Sequence, residues 1–171
     1  MRCSDESFLA NSGGTHMKVK DVMVKDVKFC GLRTNLAAVT EVFWTERCGT
    51  LPVMDNGRVA AMITDRDICI ALGTRNLKAG ETLVKDVVLP KLFFSKPDDD
   101  IRVALKTMAA QKVRRLPVID SEGTLQGILS LDDIVLLAEA KGSTLTYADV
   151  VETLKGICDR AESLKTLAVA N

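Results

Sequence analysis

One histidine, one tryptophan and one tyrosine are all that 171 residues contain, and each scarcity closes off a class of function. His16 sits in a polar N-terminal stretch with no nucleophile beside it, so acid–base and nucleophilic catalysis lack their usual base. No Gly-rich phosphate loop of the P-loop kind is present either. We therefore expect a protein that is not an enzyme, with no catalytic residues and no required cofactor. The few aromatics offer few platforms on which nucleic-acid bases could stack. The 23 basic and 23 acidic side chains cancel, so no nucleic-acid partner is expected. Five cysteines, Cys3, Cys30, Cys48, Cys69 and Cys158, include no CxxC pair. With a single histidine they make no zinc ligand set, and no metal site is expected. They read instead as small buried hydrophobes of a reducing compartment. No apolar run reaches the ~20 residues of a membrane helix, and no secretory signal is evident. A cytoplasmic protein with no membrane partner is the expectation.

What the sequence does contain is a repeat. Leu51-Pro52-Val53-Met54-Asp55 recurs 65 residues later as Leu116-Pro117-Val118-Ile119-Asp120. The same offset carries Val19-Lys20-Asp21-Val22 onto Val84-Lys85-Asp86-Val87, and residues 36–43 onto 101–108. After the aspartate the offset becomes 66, because Asn56-Gly57 faces Ser121-Glu122-Gly123. Beyond that turn, Met62-Ile63-Thr64-Asp65-Arg66-Asp67-Ile68 falls on Ile128-Leu129-Ser130-Leu131-Asp132-Asp133-Ile134. Self-similarity of this kind fixes an architecture before any local reading does. Each copy, at roughly 55 residues, is marginal alone, so the two should pack on each other.

Both copies read in the same order. Residues 17–23 suggest a short helical lead-in and residues 27–30 a strand. A helix follows from a cap at Thr34 or Asn35 to about Arg47, with Leu36, Val39, Val42 and Phe43 on one face. Strands over 51–54 and 58–63 flank the turn Asp55-Asn56-Gly57 as a hairpin. A closing helix starts at Thr64 and stops at Gly73. In the second copy the expected elements are a strand over 92–94, a helix over 101–112 charged at its start by the acidic run 98–100, a hairpin of 116–119 with 125–129, and a helix from 130 to about 140. Thr146 and Asp149 then announce a capping box. Val150, Val151, Leu154, Ile157, Cys158, Ala161 and Leu164 follow as the apolar stripe of a helix of about 20 residues. That helix should cover a face of the pair or pack on another subunit. The expected organisation is a polar arm (1–16), repeat one (17–73), a linker (74–83), repeat two (84–141) and a helical extension (142–171).

Chemistry is concentrated at two junctions, Thr64-x-x-Asp67 and Ser130-x-x-Asp133. A hydroxyl followed three residues later by an acid is a helix cap and needs no ligand. The same geometry also suits a nucleotide. Unpaired N–H groups at a helix start hold phosphate, and an ionised carboxylate accepts from the two hydroxyls of a ribose. Gly127 would let a ligand approach the strand closely; the first copy has Ala61 there.

The order strand, helix, Leu-Pro-Val hairpin and closing helix, written twice, resembles a tandem pair of cystathionine β-synthase (CBS) domains, a Bateman module. The family's ribose-phosphate signature is Gly, two hydrophobic residues, Thr or Ser, two variable residues and Asp. Gly127-Ile128-Leu129-Ser130-Leu131-Asp132-Asp133 matches throughout, and the copy starting at Ala61 departs only there. The resemblance implies an α/β (α+β) fold of two β-α-β-β-α repeats related by a pseudo-twofold axis, with two clefts for adenosine-containing ligands. It places Asp67 and Asp133 on ribose, Thr64 and Ser130 on phosphate, and Arg66, Arg114 and Arg115 at the phosphate end, where the arginine fork suits phosphate oxygens. AMP, ADP or ATP are the expected ligands, with S-adenosylmethionine or NAD as alternatives. Gly49 and Thr50 replace the two arginines in the first copy, so a polyphosphate should prefer the arginine-lined cleft. A homodimer through the opening helices is implied, with Val39, Phe43, Trp44 and Met108 as candidate contacts. The functional expectation is a regulatory nucleotide sensor read by a separate, unknown effector protein. A ligand-free interaction or dimerisation module is the alternative.

Overall fold

Asn56 and Gly57 both adopt positive φ, 47° and 79°, and turn the chain between strands β2 (Thr50–Asp55) and β3 (Arg58–Thr64). Two such residues in succession match the right-handed twist of the flanking strands, as in a type I′ hairpin. The computed structural model describes residues 17–140 and 143–159; Cys3, His16, Ala161 and Leu164 of the expectations above lie outside them. Strand β1 (Cys30–Gly31) lies parallel to β2, with Cys30 opposite Val53, and completes a three-stranded sheet. Helix α1 (Leu36–Thr45) is capped by Asn35, whose Oδ1 accepts from the Ala38 N–H at 2.8 Å. Thr34 instead accepts from Gly31 at 3.1 Å, settling which of the two residues is the cap. Helix α2 (Asp65–Arg75) runs past Gly73 and stops at Asn76, which takes the left-handed conformation that ends helices.

The second copy supplies α3 (Ile101–Gln111), β4 (Arg115–Ile119), β5 (Leu125–Ser130) and α4 (Leu131–Leu137). The strand expected over 92–94 does not form. A single parallel bridge, Ser95 to Val118, stands where Cys30 pairs with Val53. Pro97, which has no N–H to give, follows two residues later and ends the pairing. The acidic run acts as a turn and cap: Asp100 accepts from the Arg102 N–H at 2.8 Å and Asp99 from the Lys96 N–H at 2.7 Å.

The two copies exchange their lead-ins. Short 3-10 turns, Val19–Asp21 and Val84–Asp86, occupy equivalent places, and each is bonded to the opposite copy. The Val19 N–H donates to the Asp99 carbonyl and the Ile101 N–H to the Met17 carbonyl, both at 2.9 Å. The counterparts are Val84 to Thr34 and Leu36 to Thr82, also at 2.9 Å. Val19 is therefore buried among Ile101, Leu105, Met108, Leu116, Leu129 and Ile134 of the second copy. Val84 is buried among Leu36, Val39, Phe43, Leu51 and Ile63 of the first. A buried valine contributes roughly 1.5–3 kcal/mol, so each small core depends on a residue lent by its neighbour.

Helix α5 (Tyr147–Cys158) is capped by Thr146 and Asp149, as its sequence announced. It buries Val150 and Thr153 and covers α3. The approach is close: a Cβ on Gly156 would lie 2.8 Å from that of Ala109. The residue of α1 equivalent to Ala109 is Trp44, and it is 84% exposed. Of the four candidate dimer contacts, Val39, Phe43 and Met108 turn into their own cores; only Trp44 points out. The cysteines also divide. Cys30 is buried and Cys48 half-buried, while Cys69 and Cys158 are exposed, contrary to the expectation of buried thiols. No described helix is long and apolar enough to cross a membrane.

Candidate functional site

Both hydroxyl–carboxylate pairs form, each at the turn from an outer strand into a helix. Thr64 ends β3 with extended backbone and caps α2. Its hydroxyl accepts from the Asp67 N–H at 3.1 Å and donates to Asp67 Oδ2 at 2.6 Å, and its own N–H donates to the same oxygen at 2.9 Å. Ser130 ends β5 and caps α4, its hydroxyl accepting from the Asp133 N–H at 3.1 Å and donating to Asp133 Oδ2 at 2.6 Å, without the backbone bond to the carboxylate that Thr64 makes. In both pairs the Oδ1 oxygen makes no hydrogen bond among the described residues. The capping chemistry is thus complete within the chain, with one carboxylate oxygen left over at each junction.

The arginines are distributed less evenly than their positions in sequence suggest. Arg66 is exposed on the first turn of α2, and its guanidinium makes no hydrogen bond or ion pair among the described residues. Arg115 lies opposite Ser130 in the hairpin, and its guanidinium donates to Asp132 Oδ2 at 3.0 Å. Arg114 is exposed, and its carbonyl accepts from the Leu131 N–H at 2.9 Å. The Arg114 guanidinium has no partner among the described residues. Asp132, which sequence reasoning passed over, therefore compensates one of the two arginines. The signal was available, because Asp132 occupies the position that Arg66 holds in the first copy.

In the first copy Thr50 is buried opposite Thr64 and gives its hydroxyl to the Ile63 carbonyl at 3.0 Å. Gly49 leaves room for Asp65, whose Oδ2 would be 3.1 Å from a Cβ placed there. The first junction thus gathers Asp65, Arg66 and Asp67 on one helical turn. The second gathers Arg114 and Arg115 against Asp132 and Asp133.

Gly127 has a structural occupant. A Cβ there would stand 2.7 Å from the Val24 carbonyl oxygen and 2.8 Å from Met23 Sδ. The strand needs glycine at this point because the chain's own lead-in crosses it. Among the described residues, no three histidine, cysteine, aspartate or glutamate side chains gather as a metal ligand set.

Comparison with known proteins matches this arrangement. The family model described as "CBS domain" matches twice, at residues 19–74 and 84–139. The CBS domain-containing protein YhcV of Bacillus subtilis is 30% identical over 131 residues, covering 75% of this chain and 92% of that protein. Inosine-5'-monophosphate dehydrogenase of Methanocaldococcus jannaschii is 34% identical over 119 residues, but these span only 23% of that enzyme. Among solved structures, CBSX2 in complex with AMP superposes with a TM-score of 0.61 at 25% identity, covering 70% of this chain and 93% of that one. With two matched segments, exchanged lead-ins and a capped hydroxyl–carboxylate pair in each half, the chain belongs to the CBS domain family and carries two such domains in tandem.

Proposed function

We propose that the protein is a non-catalytic, cytoplasmic sensor of adenine nucleotides. The observation that carries this reading is the pair of strand-to-helix junctions. Each offers a hydroxyl, an uncommitted carboxylate oxygen three residues on and at least one guanidinium without a partner. An ionised carboxylate accepts from both hydroxyls of a ribose. The cap hydroxyl can turn its proton from Asp67 or Asp133 toward a phosphate oxygen, and helix N–H groups favour the negative charge. Arg66 on one side, Arg114 and Arg115 on the other, then meet the phosphates. Gly127 supports this by letting residues 23–24 lie against β5. AMP is the first candidate ligand; ADP, ATP, S-adenosylmethionine and NAD carry the same adenosine.

A sensor needs the ligand to prefer one arrangement of the protein over another. Exchanged lead-ins supply a route, since moving one copy drags a residue of the other's core. A homodimer formed through the exposed face of α1 around Trp44, and a separate effector protein, would read the change. One observation favours the alternative of a ligand-free interaction module: both caps are satisfied without any ligand.

A thermal-shift screen with AMP, ADP, ATP, S-adenosylmethionine and NAD, on the parent and on Asp67→Asn and Asp133→Asn, separates these. A ligand at 100 times its dissociation constant adds about 2.7 kcal/mol, a rise of several degrees at this size. A shift abolished by either variant supports the sensor. No shift with any compound supports the interaction module.

A further inference from the structure

The correspondence between the copies holds as far as Met23 and Val88, each packed on the opposite copy's core. It breaks at the next residue. Val24 lies antiparallel on the outer edge of β5, giving a hydrogen bond to Ile128 and taking one from it, both at 2.9 Å. Its counterpart, Leu89, makes no such pair with Met62. Leu89 is 74% exposed, and its carbonyl accepts from the Lys91 N–H at 2.8 Å instead. The residue beneath differs as well. With a Cβ at Gly127 only 2.7 Å from the Val24 oxygen, the seat that Val24 occupies exists only above a glycine. The first copy has Ala61 at that place, itself buried in β3. Its methyl bars the Leu89 carbonyl from the equivalent seat.

We propose that Ala61 makes the two halves unequal and confines nucleotide to the half in which Val24 is fastened to β5. This inference rests on the nucleotide reading above. The Val24 bridge meets β5 at Ile128, two residues before Ser130, so the fastened residue stands beside the end of β5 that leads into Ser130. In the other half Leu89 has no strand bond to hold it and must be ordered as ligand enters. Ordering even one residue opposes binding by about tenfold.

Titration calorimetry with AMP on the full chain counts sites, and amide hydrogen exchange reports strand docking independently. The parent should bind one AMP per chain, at least about tenfold more weakly in Asp133→Asn and unchanged in Asp67→Asn. Ala61→Gly should slow exchange at Met62 and raise the count to two. Gly127→Ala should quicken exchange at Ile128 and weaken AMP by about tenfold. If that variant fails to fold, Ala61→Gly, which only removes a methyl, decides alone. Two equal sites in the parent, or an Ala61→Gly variant unchanged in both count and exchange, overturns the inference and leaves the nucleotide reading standing. No AMP binding by parent or variant overturns that reading and the inference with it.

Discussion

The Ser130 hydroxyl and the Asp133 carboxylate are joined at 2.6 Å, and the Asp133 N–H returns to the same hydroxyl at 3.1 Å. Thr64 and Asp67 repeat the pair at 2.6 and 3.1 Å. A ligand that takes the cap hydroxyl's proton must loosen a helix cap, whereas one that uses only the free carboxylate oxygen need not, so stability and binding can be separated by substitution.

Removing the cap hydroxyl should lower stability even without ligand. Thr64→Ala leaves the Asp67 N–H without its acceptor, and loss of such a cap costs about 1 kcal/mol. Asp67→Asn keeps an acceptor oxygen and should cost less. Urea unfolding of the two variants checks the order. Equal losses would mean that the carboxylate charge, rather than the cap, holds the start of α2.

Asp98 joins the copies through Lys18 at 3.0 Å and Lys20 at 2.8 Å. The hydrogen bond from Lys20, then that from Lys18, holds its carboxyl down to about 2. A depressed carboxylate contributes stability that is present above its ordinary pKa of 3.8 and lost as pH falls toward 2. Because the groups are exposed, the contribution is small and screened by salt. The parent should lose more stability than Asp98→Asn between pH 5 and 2 at low salt, and the gap should close at high salt. Parallel curves at low salt would remove the bridge from the account.

The thiols should react in order of exposure. Cys69 and Cys158 are exposed, whereas burial pushes the Cys30 thiol up to about 11. The thiolate is the reactive form, so mass spectrometry after brief alkylation at neutral pH should find Cys69 and Cys158 modified and Cys30 intact. Cys30 should label only in denaturant. The raised pKa also predicts stability held below its ordinary value of 9.0 and lost as pH rises toward 11.

Trp44 is the only tryptophan, which makes it a reporter of its own surface. If α1 forms the dimer face, its emission should move to shorter wavelength as protein concentration rises, and Trp44→Glu should shift sedimentation toward monomer. A dimer indifferent to Trp44→Glu would place the interface elsewhere.

Much of this architecture was legible because it is local. The Leu-Pro-Val strands, the Asn56-Gly57 turn and the caps at Thr64, Ser130 and Thr146 follow from neighbours in sequence, and the strands and the first two caps recur in both copies. The exchange of lead-ins was not legible, since Val19 and Val84 have the same local context and only packing decides which core receives them. Trp44 and Ala109 occupy one repeat position, yet one meets solvent and the other meets Gly156 of a helix outside the repeat. The crossing of Gly127 by Met23 and Val24, about 100 residues earlier in the chain, was not legible, because it has no local signature. The compensation of Arg115 by Asp132 lay in the hairpin register and could have been drawn from the repeat alignment.

The central claim is that the carboxylates at the helix starts read a ribose. Its most direct test compares the affinity of the protein for AMP with that for the 2′,3′-dideoxy analogue, which keeps base and phosphate but offers no hydroxyl pair. The account predicts that AMP binds at least about tenfold tighter, as when a buried polar group loses its partner, and that Asp133→Asn abolishes the preference. Equal affinity for the two compounds in the parent protein would contradict it.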